Sequence, residues 1–135
     1  MLPAGRFAFA GFLPEREFGA LLQTCRALIF PSLYEGFGLP VLEAMACGRP
    51  VLCSNAASLP EIAGDAAILF DPHDATTIAA SISRLDAEPD LADSLVRRGQ
   101  QRVVQFGTPR DMAEKYLAAF EEVIEARARS GRAPR

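Results

Sequence analysis

The sequence predicts an α/β fold in which a parallel sheet is covered on both faces and two longer helices follow at the C-terminal end. Two observations and one packing rule carry this prediction. Short apolar runs alternate with segments whose apolar residues recur at helical spacing. A glycine turn, Gly36-Phe37-Gly38, leads from one such run directly into a helix-forming stretch. Strands that alternate with helices pair in parallel, because each crossover helix has to cover a face of the sheet.

Each element follows from local chemistry. Arg6–Ala10 is short and apolar enough to predict a buried strand, and Glu15–Arg26 places Phe18, Leu21, Leu22 and Cys25 on one face of a helix. Ala27–Pro31 reads as the next strand. Leu39–Cys47 reads as a helix, with Pro40 in its first turn, where a missing N–H costs nothing. Gly48 ends that helix and Pro50 prevents its continuation, so Val51–Ser54 follows as a strand. Ser58-Leu59-Pro60-Glu61 has the form of a capping box and predicts a short helix before a strand over Ala67–Asp71. Asp74 is placed to cap a helix over Ala75–Leu85. Helices over Leu91–Phe106 and Pro109–Ala128 complete the chain, the last with Thr108 as cap and an apolar stripe of Met112, Tyr116, Phe120 and Ile124.

Composition limits what this fold does. At 135 residues and 50% hydrophobic, the chain buries one modest core. The formal charge of −3 conceals an asymmetry: Arg127, Arg129, Arg132 and Arg135 crowd the end, while all 17 acidic residues precede them. The body is therefore acidic, which argues against nucleic acid as a partner, since phosphate-backbone binding needs a clustered basic face. Residues 129–135 read as a disordered basic tail after a body spanning residues 1–128. Cys25, Cys47 and Cys53 show no Cys-x-x-Cys spacing and lie in apolar surroundings, as reduced thiols of a cytoplasmic protein do. No apolar run reaches the length of a membrane span. Any membrane contact is expected to be peripheral, at the inner face.

The most informative stretch is Pro31-Ser32-Leu33-Tyr34-Glu35-Gly36-Phe37-Gly38-Leu39-Pro40-Val41-Leu42-Glu43-Ala44-Met45-Ala46-Cys47-Gly48. It sets two carboxylates around a glycine turn that opens a helix. Glycines let backbone approach a ligand, and the free N–H groups of a first helical turn face an incoming anion. Val41, Leu42, Ala44, Met45, Ala46 and Cys47 leave Glu43 as the helix's only charged group. The alternative for Glu43 is an acid that favours the helix dipole. For the glycines it is an ordinary tight turn, and for Tyr34 and Phe37 simple packing.

This stretch resembles the donor-binding signature of retaining glycosyltransferases of the two-Rossmann-domain GT-B architecture, of the glycosyl transferases group 1 or family 4 kind. The resemblance extends from Phe7-Ala8-Phe9-Ala10-Gly11-Phe12-Leu13-Pro14 through the paired acids to Ser58–Asp65 and Phe70-Asp71-Pro72. It implies that the chain is a partial Rossmann-like sheet, the second domain of a GT-B fold without its first βα units. The strand Arg6–Ala10 would then lack neighbours in the doubly wound order. Exposed strand edges and a partly bare last helix predict self-association.

The function implied is transfer of a hexose from a nucleotide-sugar donor to a glycan or lipid-linked acceptor, with retention of configuration. Glu35 looks like the catalytic-site residue that holds hydroxyls of the transferred sugar, and Glu43 like the acceptor of hydrogen bonds from the ribose. The backbone of Gly36, Phe37, Gly38 and Leu39 would donate to the sugar and diphosphate. The resemblance implies front-side attack, so no catalytic base is nominated, and neither a metal nor another cofactor is called for, in keeping with the lack of an Asp-x-Asp sequence. Two carboxylates at about 1.5–3 kcal/mol each and a helix end at about 1, set against an association cost of at least about 4, predict millimolar binding by the chain alone. The isolated chain is expected to be inactive without an N-terminal acceptor domain. Two alternatives are a nucleotide-binding module of a split transferase that works with a partner chain, and a relative of nucleotide-sugar 2-epimerases. The single histidine, His73, counts against the latter.

Overall fold

The computed structural model describes residues 7–107 and 109–129. Its elements, in chain order, are α1 (Glu15–Thr24), β1 (Leu28–Phe30), α2 (Leu39–Ala46), β2 (Val51–Ser54), α3 (Leu59–Ala63), β3 (Ala67–Phe70), α4 (Ala75–Ala87), α5 (Pro89–Phe106) and α6 (Pro109–Arg129). The three strands form one parallel sheet in the order β1-β2-β3. Leu28 stands beside Val51, which in turn stands beside Ala67. All three strands thus end at one edge, where the loops after β1, β2 and β3 emerge together.

The central strand shows why the sheet sits where it does. Val51, Leu52, Cys53 and Ser54 are all buried, because β2 has a strand on each side and helices on each face. Leu52 packs with Phe70, Leu85 and Leu95 into a core completed by Ala27, Ile68, Ile78, Leu91 and Ala92. On the opposite face Val51 and Cys53 meet the side of the sheet covered by α2 and α3, whose Val41, Ala44, Met45, Leu59, Ile62 and Ala63 are buried. Gly99 lets α5 lie close to α2, since a Cβ there would stand 3.0 Å from Met45 Cγ.

The end of α2 follows from its sequence. Gly48 adopts φ +66°, its N–H bonds to the Met45 carbonyl and the Arg49 N–H to the Ala44 carbonyl, which is the left-handed glycine cap. Asp74 caps α4 by accepting from the Thr76 N–H at 2.8 Å. The cap expected at Thr108 lies outside the described residues, as does the basic tail beyond Arg129.

One predicted strand does not form. Residues 7–10 carry no strand, and Phe7 and Phe9 stand in solvent, Phe9 at 95% exposure. A short apolar run becomes a parallel strand only when a neighbour takes up its hydrogen bonds and helices cover its faces. Residues 7–10 have neither.

The chain divides into two compact units, Met1–Arg102 and Val103–Arg135. In the second, Tyr116, Leu117, Phe120, Val123 and Ile124 of α6 are all exposed, and Tyr116 and Phe120 stack with ring centroids 6.5 Å apart. Tyr116, Phe120 and Ile124 of the predicted stripe therefore lie bare, and the Met112 side chain falls outside what is described. No described helix is long and apolar enough to cross a membrane.

Candidate functional site

The candidate site lies at the carboxyl edge of the sheet, the place where parallel α/β folds gather ligand-binding loops. The loop from Pro31 to Gly38 leaves β1 and enters α2. Gly38 is the N-cap of α2, buried, in the left-handed region at φ +96°. Pro40 follows in the first turn, and the Val41 N–H turns back onto the Gly38 carbonyl at 3.0 Å. Among the described residues, the N–H groups of Gly36, Gly38 and Leu39 make no hydrogen bond. Gly36 is open as well: a Cβ there would meet nothing within 4 Å. These amides are available to an anion approaching the turn.

Three serine hydroxyls hold the loop in place. Ser54, fully buried at the end of β2, donates to the Ser32 carbonyl. Ser58, just before α3, shares its hydroxyl between the carbonyls of Glu35 at 3.0 Å and Phe37 at 3.2 Å. Ser32 donates to Glu35 Oε1 at 3.1 Å and lies 3.2 Å from the Tyr34 carbonyl. Glu35 is thereby held at both its carboxylate and its backbone. The loop after β2 is in turn tied to β3 by the Asn55 N–H, which donates to the Phe70 carbonyl at 2.9 Å.

Ser58 therefore does not perform the capping role that its sequence context predicts. Its backbone is already helical, at φ −77° and ψ −13°, whereas a capping residue needs an extended backbone to turn its oxygen onto the following amides. Pro60 also removes one of those amides. The hydroxyl, released from capping, reaches across to the loop after β1. Reading the sequence for function missed Ser54 and Ser58. The available signal was a hydroxyl at the end of an otherwise apolar buried strand, a group that needs a partner.

The two acids occupy different environments. Glu35 is half-buried, and Glu43 is exposed on the outer face of α2 with Leu39 and Ala46. Among the described residues the Glu43 carboxylate makes no hydrogen bond or ion pair. Glu43 is the fifth residue of α2, beyond the first turn in which an acid favours the helix dipole, so that alternative explanation does not hold for it. Phe37 is half-buried, whereas Tyr34 is 86% exposed and free to meet a ligand.

The nearby arginines are committed elsewhere. Arg49 donates from Nε to the Cys47 carbonyl at 3.1 Å and from Nη1 to the Cys25 carbonyl at 3.2 Å. Arg26 pairs with Asp86. Two cavities, of about 420 and 180 Å³, lie around Arg26, Leu85 and Asp86, and neither takes a wall from residues 31–43. His73 stands exposed in the turn after β3, where its N–H donates to Asp71 Oδ1 at 2.9 Å. Among the described residues, no group of three or more His, Cys, Asp or Glu side chains could hold a metal ion.

Comparison with known proteins gives a consistent result. The family model described as glycosyl transferases group 1 matches residues 3–102. The chain is 41% identical over 102 residues to O-antigen chain mannosyltransferase B of Escherichia coli, covering 76% of this chain and 27% of that protein. It is 36% identical over 115 residues to MMP alpha-(1->4)-mannosyltransferase of Mycolicibacterium hassiacum, covering 83% and 28%. Among solved structures, sucrose-phosphate synthase from Thermosynechococcus elongatus superposes with a TM-score of 0.81 at 29% identity, covering 91% of this chain and 31% of that one. The chain thus spans little more than a quarter of the length of these two curated relatives.

Proposed function

The chain belongs to the glycosyl transferases group 1 family, and on that premise we propose that it forms part of the donor-binding half of a retaining hexosyltransferase. The reaction moves a hexose from a nucleotide sugar to a glycan or lipid-linked acceptor, with the acceptor-binding half supplied by further polypeptide. The mannosyltransferases among the relatives make mannose the first sugar to test.

The observation that carries this reading is the Gly36–Leu39 turn. The amides of Gly36, Gly38 and Leu39 make no hydrogen bond among the described residues, the turn sits at the carboxyl edge of the sheet, and serine hydroxyls hold the loop that carries it. As the glycosidic bond breaks, the departing nucleoside diphosphate gains negative charge. Donors fixed in advance at that position stabilise the transition state without reorganising. Glu35, on the same loop, accepts from hydroxyls of the transferred sugar, and Glu43 accepts from the ribose. Charge stabilisation by amides and a helix end requires no metal in this scheme. The nucleophile is the acceptor itself, attacking from the face the diphosphate leaves.

The test is a titration, followed by protein NMR, with mannose and glucose carried on uridine, guanosine or adenosine diphosphate. Shifts confined to residues 35–43 for one nucleotide, and absent in Glu43→Ala, support the reading and name the donor class. Equal small shifts for every compound, unaltered in the variant, would remove it.

A further inference from the structure

We propose that Ser58 is a positioning residue for the donor turn: its hydroxyl sets the geometry of residues 35–38 and thereby of the Glu35 carboxylate and the open amides. The inference rests on the donor-site reading above and deepens it.

Between the end of β1 at Phe30 and the start of α2 at Leu39, eight residues run outside any helix or sheet ladder. Such a segment is fixed only where its polar groups find partners. Ser54 takes the Ser32 carbonyl at the loop's beginning, and Gly38 is pinned at its end by Leu59, which fills the space above it. The middle, which carries Glu35, Gly36 and Phe37, has the Ser58 hydroxyl on the carbonyls of Glu35 and Phe37. Those two carbonyls flank Gly36, whose Cα face is open. One hydroxyl therefore orients the Glu35–Gly36 and Phe37–Gly38 peptide groups, the two that carry the N–H groups of Gly36 and Gly38.

The placement is also one-sided. Ser58 approaches the loop through its carbonyls, which leaves the N–H groups of Gly36 and Gly38 directed to other partners, and among the described residues they have none. A hydroxyl that holds acceptors from behind turns donors outward. Ser58 is half-buried between the two loops and its neighbour Leu59 is fully buried at the base of α3, so the donor is delivered from a rigid element. Preorganisation of this kind lowers the ordering cost that binding would otherwise carry.

The test compares Ser58→Ala with Ser58→Thr, which keeps the hydroxyl. Without ligand, ¹⁵N relaxation should show order parameters for residues 35–38 falling toward about 0.6 in Ser58→Ala and staying at the rigid value in Ser58→Thr. Thermal melting of both variants should remain cooperative, which separates a loosened loop from a lost fold. With guanosine diphosphate mannose and uridine diphosphate glucose as probes, affinity for the preferred one should fall roughly tenfold in Ser58→Ala and be restored in Ser58→Thr. A loop equally rigid in Ser58→Ala, or a tenfold loss in both variants, overturns the proposal. A loop loosened in Ser58→Ala while wild-type protein binds neither probe upholds the hold on the loop and overturns the donor reading instead.

Discussion

Leu59 occupies the volume into which a side chain at position 38 would project: its Cδ2 lies 2.7 Å from where a Cβ on Gly38 would stand. Leu59 is fully buried, so it has nowhere to retreat, and Gly38 is in the left-handed region that side chains rarely adopt. The turn that opens α2 and the start of α3 are therefore fitted to each other.

Gly38→Ala is expected to lower stability by about 1–3 kcal/mol through backbone strain and overpacking together. Denaturant unfolding checks this, with Gly36→Ala as the comparison. Position 36 meets nothing within 4 Å, and its φ lies outside the left-handed region, so the second variant should unfold close to wild type.

Cys53 is fully buried beside α2 and α3, and burial pushes its thiol from 9.0 up to about 12. A thiol whose ionisation is harder in the folded chain than in the unfolded one favours folding below pH 9. That contribution is lost as pH rises from 9 toward 12, at about 1.4 kcal/mol per unit. Denaturation midpoints measured across this range should fall, and Cys53→Ala should flatten the slope after its own packing loss. Alkylation at pH 8 should spare Cys53 and reach the half-buried Cys25 and Cys47 first.

Asp74 accepts from the hydroxyl of Thr76 at 2.6 Å and from its N–H at 2.8 Å, and these bonds hold its carboxyl below the ordinary value of 3.8. A carboxyl depressed in the folded state stabilises above its unfolded value and loses that effect as pH falls through the folded one. Asp74→Asn keeps a capping oxygen without the titrating charge, so it should lose less stability than wild type as pH falls below 3.8. Asp74→Ala should be weaker at neutral pH as well. Denaturant midpoints over this range provide the check.

Phe9 and Phe12 of the segment before α1, Ile29 at the sheet edge and Phe120 of α6 are all exposed. Apolar surface of this extent drives association. Size-exclusion chromatography should show assembly that grows with concentration, and Phe120→Lys should reduce it. A compact monomer at all concentrations would contradict the expectation.

The parts of the fold legible from the sequence are those fixed by short-range chemistry. Val51–Ser54 reads as a strand because it is apolar between a proline and a polar turn, Gly48 ends α2 because only a glycine accepts that cap, and Asp74 caps α4 on its own neighbours. Where the sequence misleads, the deciding partner is distant along the chain. Residues 7–10 look like a strand but have no neighbour to pair with, and Ser58 looks like a local cap but spends its hydroxyl on carbonyls more than twenty residues away. The signature turn lies between these cases. Its glycines and proline announce the geometry, whereas the half-buried setting of Glu35 and the solvent exposure of Glu43 depend on the loops around them.

The central claim assigns the two acids different parts of one ligand, and a paired titration tests it most directly. Wild type, Glu35→Gln and Glu43→Gln are each titrated with guanosine diphosphate and with guanosine diphosphate mannose, and in parallel with the uridine diphosphate and glucose pair. The account predicts that Glu43→Gln weakens the nucleotide and the nucleotide sugar by the same factor, roughly tenfold, while Glu35→Gln weakens only the sugar-bearing form. Affinities unchanged in both variants would contradict it.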